Sequence, residues 1–255
     1  MPRRLASMLV ALLLLLGPGV FARSALADDR VDVLLVLAAD ISRSVDDRKF
    51  RLQRDGYAAA IADPRVVRAM AGGPMGRIGL CFVEWAGDGD QTVVMDWTSV
   101  GTAEEAEAFA RRVRDAPRAF MGRTSISAAI DYGVGTLERS PFLSERRVID
   151  VSGDGTNNSG GEVTVARDDA IKKGITINGL VILSDVPLVT NPKHTHPDGG
   201  LTAYYENNVI GGPGAFVLEA ENFESFGRML VSKLVREIAS LWPRATLAAA
   251  DPALD

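Results

Sequence analysis

Five side chains in this sequence carry hard oxygen donors at places where a fold could gather them. Asp40, Ser42 and Ser44 stand at alternate positions near the end of VDVLLVLAADISRS (31–44). Thr124 follows in GRTS (122–125), and Asp154 lies between two glycines in VSGDG (151–155). Carboxylate and hydroxyl oxygens suit Mg²⁺, Mn²⁺ or Ca²⁺ and not a soft metal. Only two of the five are carboxylates, so waters must fill the remaining coordination positions. A divalent cation held in this way keeps an exchangeable position that can accept a carboxylate from a partner.

The elements around these residues have to bring them to one rim. Val33 to Ala39 is an unbroken apolar run, which reads as a strand buried on both faces inside a parallel sheet. In such sheets ligands bind at the carboxyl ends of the strands, where Asp40 falls. Val45 to about Ala62 predicts a helix, with Ser44 as N-cap and Asp46 and Asp47 in the first turn. Pro64 and Gly72-Gly73-Pro74 mark an exit loop. Arg77 to Trp85 and Thr92 to Trp97 predict a hairpin across the turn Gly87–Asp90. Helices are predicted over Ala103–Asp115 and Ile126–Leu137, the second with Thr124 at its junction and Ser125 as a cap. Arg146 to Ser152 predicts a strand running into Gly153-Asp154-Gly155, where a backbone turns sharply beside a ligand. A helix over Val163–Lys173, a strand over Ile175–Leu183, a strand over Ala215–Leu218 and a helix over Phe223–Leu241 complete the pattern. Ser184 to Gly214, with four prolines and both histidines, predicts a long loop without regular structure. Alternating strands and helices imply a single α/β domain, a doubly wound and mostly parallel sheet with one antiparallel hairpin edge.

D-x-S-x-S at Asp40-Ile41-Ser42-Arg43-Ser44, with Gly122-Arg123-Thr124 and Ser152-Gly153-Asp154-Gly155 later in the chain, resembles the metal-ion-dependent adhesion site of von Willebrand factor A domains. The resemblance covers about residues 31–241. VEWAGDGDQ (83–91), GRTSIS (122–127), RRVIDVSGDGTNN (146–158), GITINGL (174–180) and VIGGPGAF (209–216) are similar to a narrower group, exported bacterial proteins known as domain of unknown function 1194. The resemblance implies a Rossmann-like interaction module holding Mg²⁺, or Mn²⁺ or Ca²⁺ in its place. Asp40, Ser42, Ser44, Thr124 and Asp154 would be the ligands. The narrower group brings no activity with it. Gly153 departs from the threonine or serine that many A domains carry before the aspartate, which bears on the support of the site more than on ligation.

Composition narrows the function further. Met8 to Leu16 is apolar behind MPRR, Gly17-Pro18-Gly19 breaks it, and Ala25-Leu26-Ala27 forms an A-x-A cleavage signal. Residues 1–27 therefore read as a secretory signal peptide, with a domain over 28–241, a disordered tail over 242–255 and a periplasmic or secreted product. That apolar core is short for a membrane anchor, and no other stretch predicts a span. Removing Arg3, Arg4 and Arg23 takes the basic count from 28 to 25 against 33 acidic residues, near −8, a poor balance for binding nucleic acid. Cys81 is the one cysteine, so an internal disulfide is impossible, and its apolar setting predicts a buried, inert thiol.

Other chemistry-bearing residues read more weakly. His194 and His196 predict solvated loop histidines, and Asp88 and Asp90 a solvated turn. Glu84 and Trp85 predict either packing or the rim of the site. Arg43, Arg123, Asn157 and Asn158 are candidates for a partner-binding rim. No catalytic His-Ser-acid set is legible, since both histidines share one loop and no base lies near the oxygen donors in sequence. The expected function is a non-enzymatic module whose cation bridges to an acidic group on a protein partner. The alternative is a metal-dependent hydrolase of phosphoesters, which would lack the carboxylates for a second metal. A solute-binding protein with 184–214 as a lid fits less well, because one compact domain offers no cleft between lobes.

Overall fold

The computed structural model describes residues 29–184 and 186–239, so the predicted signal peptide and tail lie outside the described residues. Six strands form one sheet in the order β3-β2-β1-β4-β5-β6. They are β1 (Leu34–Asp40), β2 (Ile78–Trp85), β3 (Gln91–Val100), β4 (Arg147–Gly153), β5 (Ile175–Ile182) and β6 (Val217–Ala220). Every pairing is parallel except β2 with β3, the predicted hairpin edge. From β1 the chain winds outward through β2 and β3, then returns to place β4 on the other side of β1. The crevice at the carboxyl ends of β1 and β4 is the point where the winding reverses, the place where ligands bind in open α/β sheets.

The unbroken apolar run of β1 is explained by the two cores it serves. Leu35, Leu37 and Ala39 pack with α1 (Asp47–Ile61), α2 (Pro64–Ala71), α3 (Ala103–Asp115) and α8 (Phe226–Ala239) on one face. Leu34, Val36 and Ala38 pack with α4 (Ile126–Glu138), α5 (Val163–Lys172) and α7 (Leu201–Asn208) on the other. Alternate side chains of a strand point to opposite faces, so a strand covered on both sides must be apolar throughout. Each fully buried Leu or Val contributes about 1.5–3 kcal/mol by leaving water. Cys81, in β2, is buried in the second core, and burial pushes its thiol up to about 12.

The structure corrects several element boundaries. Asp46, and not Ser44, caps α1: its carboxylate accepts from the Lys49 amide at 2.8 Å. Ser44 is engaged in the site instead. Pro64 opens a helix where a loop is predicted. Its missing N–H costs nothing at the first helical position, and Asp63 caps the turn by accepting from the Arg65 amide. The predicted structureless stretch 184–214 contains α6 (Pro192–Thr195) and α7, and β6 begins two residues later than predicted. Thr102 and Glu105 form a reciprocal capping box at α3. Among the described residues no helix is long and apolar enough to cross a membrane.

Candidate metal centre

Asp40 is the last residue of β1 and is wholly buried. Its Oδ1 accepts from the Ser42 amide at 2.7 Å, which folds the D-x-S-x-S loop back over the strand end. The Ser42 and Ser44 hydroxyls lie 3.0 Å apart, and Ser44 Oγ donates to Asp154 Oδ1 at 2.5 Å. The alternate spacing of the three residues thus puts all three side chains on one side of the loop. Asp154 follows the end of β4, so two neighbouring strands each deliver one carboxylate to the same crevice.

Residues not singled out in the sequence hold this loop. Arg118 Nη2 donates to three of its carbonyls, Ile41 at 2.6 Å, Val45 at 2.8 Å and Ser42 at 3.2 Å. The Gln53 amide donates to the Asp40 carbonyl at 3.1 Å, and Lys49 Nζ to the Ser44 carbonyl at 2.8 Å. Lys49 Nζ also sits 3.3 Å from Asp154 Oδ2. An arginine with three carbonyl partners has no local sequence signature, because the partners lie more than seventy positions away in the chain. Behind the loop, Glu84 accepts from Arg54 at 2.5 Å and from the Ala119 amide at 2.9 Å, so it is a packing and positioning residue and not part of the rim. Trp85 is likewise fully buried.

Thr124 is placed by the residues that follow Asp154. Asn158 Oδ1 accepts from the Thr124 amide at 3.0 Å, and the Asn158 amide donates to the Thr124 carbonyl at 2.8 Å. Asn157 Oδ1 accepts from the amide of Ile126 at 2.7 Å, adding to the cap that Ser125 supplies to α4. Both asparagine side chains are therefore engaged in building the threonine loop. Arg123 bonds the Asn158 carbonyl at 2.6 Å and is exposed, as is Arg43.

The largest departure from expectation is His194. A solvated loop histidine is predicted, yet its residue is only 3% exposed and its Nε2 lies 3.3 Å from Thr124 Oγ1. Nδ1 faces Thr156 Oγ1 at 3.3 Å and Asn158 Nδ2 at 3.4 Å. A base therefore does lie at the site, brought from the stretch that shows no regular pattern in sequence. Burial pushes the imidazolium down, against the pull of Asp154, which favours the neutral ring. His196 is exposed, as predicted, and Asp88 is exposed as well. Asp90 is half-buried, its carboxylate against Gly87 and Gly122.

The glycines flanking Asp154 are explained by this same segment. A Cβ on Gly155 would overlap the His194 ring, and one on Gly153 would stand 2.5 Å from the Tyr205 hydroxyl and 3.1 Å from Asp40 Oδ2. Neither glycine has a positive φ, so they serve here as gaps that admit side chains. Tyr205, from α7, is fully buried, and burial together with Asp40 and Asp154 holds its phenol well above the usual range.

The donor set fits a cation. Burial, and then the nearby Asp154, raises the Asp40 carboxyl to about 7, the signature of two carboxylates crowded together in a dry crevice. Asp40 Oδ2 is buried without a hydrogen-bond partner among the described residues. An orphaned carboxylate oxygen is costly unless something positive meets it. Among the described residues no three of His, Cys, Asp and Glu cluster as a metal site, so hydroxyls would have to complete the coordination.

The family described as "Protein of unknown function (DUF1194)" matches residues 30–242. The chain belongs to this family. No curated protein matches it significantly in sequence. Among solved structures, this DUF1194 chain is similar to the pilus adhesin SpaC from Lactobacillus rhamnosus GG, at 14% identity and a TM-score of 0.57 over 82% of this chain and 31% of that one. It is also similar to a von Willebrand factor type A protein from Catenulispora acidiphila, at 12% identity and a TM-score of 0.54 over 82% and 43%. A third is proximal thread matrix protein 1 from the mussel byssus, in a structure described as having a zinc-occupied MIDAS motif. It shows 12% identity and a TM-score of 0.52 over 82% and 48%. The DUF1194 chain spans less than half the length of each of these three. The fold is that of von Willebrand factor A domains.

Proposed function

We propose that this chain is an exported, non-enzymatic interaction module. Asp40, Ser42, Ser44, Thr124 and Asp154 hold a divalent cation that bridges to an acidic group on a protein partner. The observation that carries this reading is the buried, unpartnered Asp40 Oδ2 in a crevice whose hydroxyls are already gathered. A bound cation would supply positive charge to the two carboxylates and an open position to a partner's carboxylate. The oxygen donors suit Mg²⁺, with Mn²⁺ or Ca²⁺ as alternatives. Exposed Arg43 and Arg123 beside the crevice offer a partner's carboxylate further positive charge. The descriptions of the neighbours, a pilus adhesin and a protein with a zinc-occupied motif of this kind, support an adhesive, metal-dependent role.

Titration calorimetry with Mg²⁺, Mn²⁺ and Ca²⁺ tests the site. Heat is expected from the wild type and none from a folded Asp40→Ala, Asp154→Ala variant. Affinity capture from the exporting cell, with and without EDTA, then tests the bridge. A partner that stays bound both in EDTA and to the variant would rule the bridge out. N-terminal sequencing of the exported protein should find the new terminus at Asp28.

A second reading, hydrolysis of phosphoesters, gains one observation from the structure: His194 is a neutral base within reach of Thr124. It still lacks carboxylates for a second metal. Turnover of a phosphoester panel with Mg²⁺ or Mn²⁺, lost in His194→Gln, would favour it over the interaction module.

A further inference from the structure

The oxygen donors are not all that faces the crevice. Two donors on an octahedral ion at about 2.1 Å are separated by about 3.0 Å when they occupy neighbouring vertices. The Ser42 and Ser44 hydroxyls stand at that spacing, 3.0 Å. Thr124 Oγ1 and His194 Nε2 come close to it, at 3.3 Å. We propose that His194 Nε2 is a nitrogen ligand of this metal site, and that the site therefore favours ions that accept imidazole, Zn²⁺ foremost, over Mg²⁺ and Ca²⁺. The inference rests on the reading of the five oxygen donors as a metal site, and it refines which cation that site takes.

Three features of the surroundings support ligation over simple packing. First, the ring is fixed. The Thr156 amide donates to the His194 carbonyl at 2.9 Å, the His194 amide donates to the Asn191 carbonyl at 3.0 Å, and the gap at Gly155 receives the imidazole. Second, no polar contact of the ring is short. Thr124, Thr156 and Asn158 lie at 3.3, 3.3 and 3.4 Å, all longer than an ordinary hydrogen bond, so neither nitrogen is committed. Third, Nδ1 has Thr156 Oγ1 as an acceptor. A metal-bound imidazole needs an acceptor on its other nitrogen to fix the tautomer with the Nε2 lone pair outward. Asn158 Nδ2 favours the opposite tautomer without metal, so ligation moves the ring proton to Nδ1, where Thr156 accepts it. Imidazole suits Zn²⁺ and its neighbours in the transition series, whereas Mg²⁺ and Ca²⁺ prefer oxygen.

The test compares the full-length wild type with His194→Gln, which keeps a polar side chain but has no imidazole nitrogen, and with His196→Ala as a control two residues away. Zn²⁺ and Mg²⁺ affinities come from calorimetry, and pulsed electron paramagnetic resonance of the Mn²⁺-loaded protein reports nitrogen bound to the metal. Circular dichroism confirms that each variant is folded. The expected result is a ¹⁴N coupling in wild type and His196→Ala that disappears in His194→Gln. Zn²⁺ affinity should fall about tenfold or more while Mg²⁺ affinity changes little. If the wild type loads metal but shows no nitrogen coupling, or if the Zn²⁺ preference survives in His194→Gln, the inference is overturned and the oxygen site stands. If Asp40→Ala loads metal as the wild type does, or the wild type loads none, the underlying site reading fails, and this inference with it.

Discussion

At the scale of single residues, proton and cation compete for Asp40. Its carboxyl is raised to about 7 by burial and by Asp154, so a bound cation has to displace a proton below that pH. Divalent affinity should be near its plateau at pH 8 and fall progressively from about pH 7 downward. Calorimetry in buffers of different ionisation enthalpy should register close to one proton released per cation at pH 6 and almost none at pH 8. Arg118 acts on the same chemistry without touching the metal, because it ties down three carbonyls of the loop. Arg118→Met should lower divalent affinity about ten- to a hundredfold, the range for residues that orient ligands, while the chain remains folded. A thermal melt beside the titration separates the two effects.

At the scale of elements, strands and ligand loops were legible because each carries a local signal. Val33 to Ala39 is apolar at every position since both faces of β1 are covered, and Asp40 ends the run at the strand's carboxyl end. Helix α2 was not legible, because Pro64 reads as a breaker unless Asp63 is recognised as the cap before it. The segment 184–214 was misread for a different reason. Its histidine and tyrosine gain meaning only from distant glycines: His194 fits because residue 155 has no Cβ, and Tyr205 because residue 153 has none. No pattern within the segment itself encodes that pairing. The dependence is testable, since Gly155→Ala should push the His194 ring out. Amide hydrogen exchange should then quicken across residues 192–196, while β4 stays protected.

At the scale of the whole molecule, the domain carries a second buried charged cluster far along the sheet from any proposed role. Lys233 of α8 lies 2.6 Å from Asp150 of β4 and pairs with Glu237 one turn on, while Asn178 of β5 donates to Glu237 at 2.8 Å. Burial and Asp150 raise the Glu237 carboxyl to about 7. Together with Asp40, this gives two carboxyls whose protons are held more tightly in the folded chain than in the unfolded one. Their contribution to stability is complete below about pH 4 and is lost as pH rises to about 7. The metal-free protein should therefore melt at a lower temperature at pH 8 than at pH 5.5. Saturating divalent cation should recover the Asp40 share of that loss, and Glu237→Gln should remove the other share. Calorimetric melts with and without EDTA would show both.

Cys81 turns this sheet into its own clock. It is the chain's one thiol, it lies in β2, and at 0% exposure and a pKa of about 12 it is almost wholly unreactive while the sheet is intact. A thiol reagent can reach it only when β2 separates from its covering helices, so the labelling rate reads how often the domain opens. Metal loading, a captured partner or a variant at the crevice would each slow or hasten that rate. Any ligand of this protein could thus be scored through one native sulfur, without an introduced probe.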